Sequence, residues 1–397
     1  MINNIRYKTK IAIIGAGQAG LSSAYHLKKL GLEINRDFII LDEAPSPGGA
    51  WQFRWSSLTL STVNKIHDLP GMSFEETLTD NETEVQANIA VPHYFDHYEK
   101  KYELQVYRPI RVDRVFLHGQ RFHIDTAETL FSVEGIINAT GTWENPYIPH
   151  YPGADLFQGE QLHTKDFKTA DYFRNKHVIV VGGGISAIQL LDQISTVTTT
   201  TWVTRRPPLF RKGPFDDMAG HDAVAMVEER VRQGLPPLSV VSVTGLPYSA
   251  EIQAMEKRGV LTRFPMFSKI TETGVKWEDG REEKADIILW NTGFKSSLKH
   301  LDPVLPKEEN GGILMEGRLA TMVAKEPRIH LVGYGPSAST IGANRAGSAA
   351  ARELVKTLKG EYRNWEKRNE FISVDKIKPD RYLINSQENK KTVGKEI

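Results

Sequence analysis

The sequence contains no cysteine. Disulfide frameworks, redox-active C-x-x-C pairs, thiolate metal sites and cysteine nucleophiles are therefore all excluded. Long apolar runs are also missing: none approaches the roughly 20 residues a helix needs to cross a bilayer. The opening MINNIRYKTK lacks the apolar centre of a secretory signal, so the expectation is a cytoplasmic protein with no membrane partner. Charge of one sign is scarce as well. Fifty basic residues stand against 49 acidic ones, a formal net charge of +1, which gives no electrostatic case for nucleic acid. What is left is 397 residues of ordinary hydrophobic content, enough for two or three domains with substantial cores.

The most informative stretch runs from Lys10 to Asp42. Ile11 to Ile14 form a continuous apolar run suited to a strand buried on both faces, and Gly15, Gly17 and Gly20 follow at G-x-G-x-x-G spacing. Gly15 permits the tight turn, Gly17 lets the backbone approach a pyrophosphate, and Gly20 lets the helix pack closely on the strand. A second apolar run, Phe38 to Leu41, ends in Asp42 at the distance expected of a ribose-binding carboxylate. The loop behind it carries Gly48, Gly49 and Trp51, placed to present backbone amides and a ring to the same cofactor.

Further along, Tyr94, Tyr98 and Tyr102 recur at every fourth position of an expected helix. His93 and His97 share that spacing but lack a third ligand, so no metal site is read there. An apolar run capped by Thr140-Gly141 precedes the proline-rich ENPYIPHYPG, which suits an inter-domain connection. A second cradle then follows: an apolar strand ending at Val181, Gly182 and Gly184, with Ala187 at the third position, which tolerates alanine. The next strand ends in Arg205-Arg206 where the first unit has Asp42, a choice that suits the 2′-phosphate of NADP. Helices expected around 222–233 and 248–257 suggest a lid or a substrate-facing insertion. A second Thr-Gly cap, Thr292-Gly293, completes an internal repeat, and Gly333 opens GYGPSASTIGANRAG before a final helix that can offer amides to the first cofactor.

The fold class expected is α/β, with two Rossmann-like dinucleotide-binding domains and the NADP domain inserted into the FAD domain. Residues 1–150 form the first part of the FAD domain, 151–325 the NADPH domain with a helical insertion near 207–269, and 326–397 the second FAD part with a charged tail. The acidic ribose contact assigns FAD to the first site and the arginines assign NADPH to the second, so hydride passes from nicotinamide to flavin and the cofactors carry the chemistry.

Phe157-Gln-Gly159-Glu-Gln-Leu-His163-Thr-Lys-Asp-Phe167-Lys168 resembles, at every fixed position, the fingerprint F-x-G-x-x-x-H-x-x-x-[FY]-[KD] of the flavin-containing monooxygenase family. The resemblance runs from Lys10 to about Leu358 and includes Gly48 to Trp51 and both Thr-Gly motifs. Baeyer–Villiger monooxygenases are similar but carry Trp where this chain has Phe167, and YUCCA-like enzymes are also similar. The resemblance implies that NADPH reduces FAD, that dioxygen adds to the reduced flavin, and that the resulting hydroperoxide gives one oxygen atom to a small nitrogen, sulfur or carbonyl compound. It also implies that the His163 segment links the domains and helps to position the nicotinamide nucleotide. The family usually carries an asparagine near the flavin. Counting back from Leu69-Pro70, Ser61 falls in that slot and Asn64 lies three residues later, so both are catalytic candidates and uncoupled release of hydrogen peroxide becomes an expectation. An NADPH oxidase or reductase without oxygen insertion, and a non-catalytic flavin-binding module, stay open beside the monooxygenase, as does a homodimer.

Overall fold

The computed structural model describes residues 5–63, 66–78, 85–211, 217–238 and 245–361. Two sheets organise it. The first has seven strands in the order Met315–Glu316, Met322–Val323, Glu326–Leu331, Gly135–Asn138, Ile11–Ile14, Phe38–Leu41 and Val106–Tyr107. The second has five in the order Arg263–Pro265, Thr200–Thr204, Val178–Val181, Ile287–Trp290 and Glu160–His163, all parallel. Every strand of the second sheet lies between two segments that belong to the first, so the second unit is inserted into the first.

The apolar runs explain why each central strand sits where it does. Ile11 and Ile13 pack into one core with helices α1 (Gln18–Lys29) and α2 (Ala87–Lys101), while Ala12 and Ile14 point into another beneath the four-stranded sheet of strands Ile5–Lys8, Leu130–Val133, Arg121–Thr126 and Val112–His118. Val178 and Val180 likewise face one core and Ile179 and Val181 another. A strand covered on both faces has no use for alternation, hence the unbroken apolar runs.

The internal repeat is present down to single hydrogen bonds. Each glycine-bearing strand has, on one side, the strand that ends in the acidic or basic residue and, on the other, the strand that ends in Thr-Gly. Gly15 N–H donates to Leu41 O at 2.7 Å and Gly182 N–H to Val203 O at 2.9 Å, while Ala139 N–H and Asn291 N–H donate to Ile14 O and Val181 O, both at 2.7 Å.

Helix α3 (Ile185–Ile194) follows the second cradle as α1 follows the first. Helices α4 (Asp217–Arg232) and α5 (Ala250–Lys257) fall where the sequence places them. The position of α4 corrects the lid reading: Val231 lies in the first unit's core with Leu301, Val304 and Ile313, and Arg232 donates to Gly317 O at 2.9 Å. The helix, reached from the second sheet's strands, is thus seated on the first unit. The last helix, α6 (Thr340–Glu361), packs on α1 through small residues, since a Cβ at Gly347 would lie 2.8 Å from Ser22 Oγ. No helix among the described residues is long and apolar enough to cross a membrane.

The tyrosine repeat on α2 proves to be a clamp. Tyr94 OH accepts from Leu69 N–H and donates to Met72 O, each at 2.6 Å, Tyr98 OH donates to Pro70 O at 2.9 Å, and Tyr102 OH donates to Gly71 O. Three hydroxyls one helical turn apart thus hold one tight turn.

Candidate active site

A cleft of about 710 Å³ opens at the C-terminal ends of the first sheet's parallel strands, where open α/β sheets bind ligands. Its floor is Gly15 to Gln18 and the start of α1. Gly15 adopts φ +99°, and a Cβ there would meet Ala139 O at 2.5 Å, so only glycine fits the turn. A Cβ at Gly20 would lie 1.9 Å from Gly15 O, which is the close helix-to-strand approach expected. Gly17, by contrast, faces open space. It is also the N-cap of α1 and no side chain caps that end, which leaves first-turn N–H groups free for an anion. Gly49 rests on Gly17, its Cβ position 3.0 Å from Gly17 Cα, and brings Gly48, Gly49 and Trp51 to the cleft wall.

Several cleft residues hold buried polar atoms without a protein partner: Gln18 Oε1, Arg54 Nε, Trp143 Nε1 and Ser297 Oγ. Unpaired buried donors and acceptors are costly unless a ligand satisfies them. Together with the open Gly17 face and the uncapped helix, they fit the phosphates and polar ring edges of FAD.

Asp42 lines this cleft but is more constrained than a free ribose contact. One carboxylate oxygen accepts from Ala16 N–H at 3.3 Å and the other from Arg108 Nε at 2.8 Å, and Arg108 forks onto both oxygens of Glu99 at 2.8 and 2.7 Å. All three side chains are buried. Each carboxylate oxygen has a second lone pair, so a ribose hydroxyl can still be accepted. Sequence reasoning missed Arg108 and Glu99, which lie 66 and 57 residues beyond Asp42.

Thr140 and Gly141 also line the cleft, and they are tied to His300, a residue that no motif marks. His300 Nε2 donates to Asn138 Oδ1 at 2.8 Å, Asn138 Nδ2 donates to Thr140 Oγ1 at 2.9 Å, and Thr140 Oγ1 donates to Ser297 O at 2.7 Å. Burial lowers the His300 imidazole to about 4, so it is neutral at ordinary pH and holds this chain as a donor. Gly333, Ser337 and Ser339 complete the wall beside the start of α6.

The second cradle repeats the geometry of the first. Gly182 adopts φ +145° with its Cβ position 2.3 Å from Asn291 O, Gly184 faces open space, and Ala187 is fully buried. Arg205 and Arg206 follow the strand Thr200–Thr204 and are exposed, with no ion pair among the described residues. Cations left free at that strand end match a phosphate ligand.

The fingerprint segment has a structural meaning at each fixed position. Gly159 leaves room for the Phe157 ring, which a Cβ would approach to 2.5 Å. Phe167 is buried against Trp55 and Phe173. His163 Nε2 donates to Gly293 O at 2.9 Å while its Nδ1 accepts from Lys165 N–H at 3.2 Å. Burial holds this ring below its ordinary value and both nitrogens are taken. His163 therefore holds the Thr292-Gly293 turn in place. Phe294, next in that turn, stacks on Trp143 at 5.2 Å and meets His163 edge-on at 4.8 Å. Lys165 and Lys168 from the fingerprint line the same cleft as Gly15 and Trp51, so the two units meet there.

Ser61 is not part of it. It lies exposed in a turn, hydrogen-bonded to Thr59 Oγ1 at 2.7 Å, and does not line this cleft. The turn instead joins the units, with Gln189 Nε2 donating to Thr62 O at 3.1 Å. Asn64 lies outside the described residues. His93 and His97 lie against each other on α2 with ring centres 4.1 Å apart and planes tilted by 56°, and no three-residue metal cluster occurs among the described residues.

Residues 12–333 match the family model described as pyridine nucleotide-disulphide oxidoreductase. The chain is 26% identical over 308 residues to an uncharacterized oxidoreductase, CzcO, of Bacillus velezensis, spanning 75% of this chain and 85% of the relative. It is 22% identical over 402 residues to flavin-containing monooxygenase 1 of Homo sapiens, spanning 88% and 74%. Among solved structures, the flavin-containing monooxygenase of Stenotrophomonas maltophilia matches with TM-score 0.73 at 32% identity, over 89% of this chain and 99% of that one.

Proposed function

Since the chain belongs to the pyridine nucleotide-disulphide oxidoreductase family and, within it, to the flavin-containing monooxygenases, we propose that it binds FAD in the first cradle, takes a hydride from NADPH in the second, and inserts one oxygen atom from dioxygen into a small organic molecule. The disulfide chemistry in the broader family's description has no residues to run on here, because cysteine is absent. The observation that carries the reading is the shared cleft: Lys165 and Lys168 of the fingerprint stand on the same wall as the first cradle, and Phe294 of the second Thr-Gly turn stacks on Trp143 of that wall.

The chain's own residues bind, orient and dry the site. Free N–H groups at the start of α1 receive the diphosphate, Asp42 receives the ribose, and Gly48 and Gly49 approach from above. Arg205 and Arg206 receive the 2′-phosphate of NADPH. His163 fixes the Thr292-Gly293 turn, and Trp51 and Trp143 exclude water from the junction. Bound FAD, once reduced, supplies the electrons that activate dioxygen. In this reading the segments of the first sheet form the FAD unit, which resumes with the strand Met315–Glu316, ahead of the boundary at residue 325 expected from the sequence, and the five-stranded sheet forms the NADPH unit.

Anaerobic mixing with NADPH followed by exposure to oxygen tests all of this at once. Bleaching of a yellow protein by NADPH, and a substrate that gains one oxygen atom per NADPH consumed, are expected. Rapid return to oxidised flavin with stoichiometric hydrogen peroxide and no oxygenated product would replace the monooxygenase with an NADPH oxidase. A protein without measurable affinity for either nicotinamide nucleotide would leave only a flavin-binding module.

A further inference from the structure

Arg54 carries a charge that no acid among the described residues neutralises. It follows the short helix Gly49–Phe53 on the cleft wall, half-buried, with its guanidinium carbon 4.3 Å above the centre of the Trp143 ring and 5.9 Å from that of Trp51. No side-chain hydrogen bond or salt bridge reaches it among the described residues, and its Nε is sealed from solvent without a partner. The acid on the same wall next to Trp143, Glu144, is already paired with Lys165 at 2.5 Å. Burial without a counter-ion lowers the guanidinium to about 10, yet at ordinary pH it remains a cation.

Such a cation is retained in a partly desolvated wall only against a negative charge that comes and goes with the ligand. The diphosphate has its own donors at the start of α1. Arg54 stands instead at the end of the cleft that faces the second unit, over the ring stacked on Phe294, where a nicotinamide and an isoalloxazine must meet. A hydride delivers two electrons and one proton, so its acceptor there gains one negative charge.

We propose that Arg54 is the residue that sets the flavin's reduction potential, its guanidinium stabilising the negative charge the isoalloxazine acquires on accepting a hydride. The inference rests on FAD binding in the first cradle, and it concerns an equilibrium property that can be read without any substrate or turnover. Trp143 positions the guanidinium by stacking, and the charge is the acting feature.

The test is the midpoint potential of purified holoprotein, measured anaerobically against a reference dye, for the wild type, Arg54→Met and Arg54→Lys. Arg54→Met should bind reduced FAD at least tenfold more weakly relative to oxidised FAD, which corresponds to a fall of about 30 mV for a two-electron couple. Arg54→Lys should keep more than half of the wild-type advantage. Should the Met variant lose its flavin, Arg54→Gln, with a planar neutral head over Trp143, takes its place. An unchanged midpoint in the neutral variant, or an equal fall in the lysine variant, would overturn the assignment, since charge would then not be the cause. Wild-type protein that binds no FAD would overturn the functional reading itself, a different outcome from yellow protein with an unmoved potential.

Discussion

Two glycines of the first cradle, three residues apart, should fail in opposite ways when given a single methyl group. At Gly20 the added Cβ lies 1.9 Å from Gly15 O, and ordinary contact begins at 3.4 Å, so α1 must back away from its strand by about 1.5 Å. Overpacking of this kind costs roughly 1–3 kcal/mol, and the obstacle here is backbone, which places Gly20→Ala at the upper end. At Gly17 the added Cβ meets nothing within 4 Å, and φ −80° with ψ −168° is extended backbone that alanine adopts freely. The apoprotein should therefore stay within about 1 kcal/mol of wild type, because the less flexible unfolded chain contributes about 0.4–1 kcal/mol and the poorer alanine N-cap offsets it. The methyl instead occupies the space through which a diphosphate reaches the helix N-terminus. Gly17→Ala should weaken FAD binding at least tenfold, about 1.4 kcal/mol. Thermal melting of the apoproteins and fluorescence titration of FAD separate the two effects. Should Gly17→Ala bind FAD as tightly as wild type, the cleft beside Gly17 would not be the diphosphate site. Gly184 also faces open space, and Gly184→Ala should repeat the result for NADPH alone.

Arg205→Ala and Arg206→Ala should each raise the Michaelis constant for NADPH about tenfold while leaving that for NADH nearly unchanged, and equal effects on both nucleotides would show that the 2′-phosphate lies elsewhere. Replacing Arg108 with Met leaves Asp42 and Glu99 buried without their counter-ion, so chemical denaturation should report a loss of roughly 3–5 kcal/mol. His300 is neutral when folded, with its value lowered to about 4 against 6.5 in the unfolded chain, so acidification from pH 6.5 towards 4 protonates the unfolded state first. Stability should fall through that window by up to about 1.4 kcal/mol per pH unit from this residue, and His300→Gln should flatten the slope. A slope unaltered by His300→Gln would place the acid sensitivity elsewhere, with buried His330, lowered to about 3, as the next group to test.

The glycine cradles, the buried strands that carry them and the paired Thr-Gly caps are legible because each is a demand of local backbone geometry. Gly15 and Gly182 need turns that other residues cannot make, and an apolar run of four is what a strand covered on both faces requires. The fingerprint was legible as a pattern, although its physical content was not: nothing in the spacing says that His163 bonds across 130 residues to Gly293. The side chains that furnish the cleft escaped for the same reason. Arg108 reaches Asp42 over 66 residues and His300 reaches Asn138 over 162, and no periodicity encodes such meetings. Ser61 sits in a turn whose Thr62 O accepts from Gln189 Nε2 of the second unit, a meeting that no count back from Leu69-Pro70 reveals. The tyrosine spacing on α2 marks a helix, yet its hydroxyls point to the turn at Leu69–Met72, a partner visible only in three dimensions.

Helix α4 has a practical consequence for anyone who would take this protein apart. Its Val231 side chain touches the first unit at Gly335, where a Cβ would sit 3.1 Å from Val231 Cγ1, and Val227 beside it is fully buried. Excising residues 151–325 as a free-standing nicotinamide-binding module would strip that helix of its seat and expose an adhesive apolar face. Chimaeras that exchange nucleotide preference with a relative should therefore transplant Arg205, Arg206 and their loop within the intact chain, leaving α4 and the surface it rests on as a matched pair.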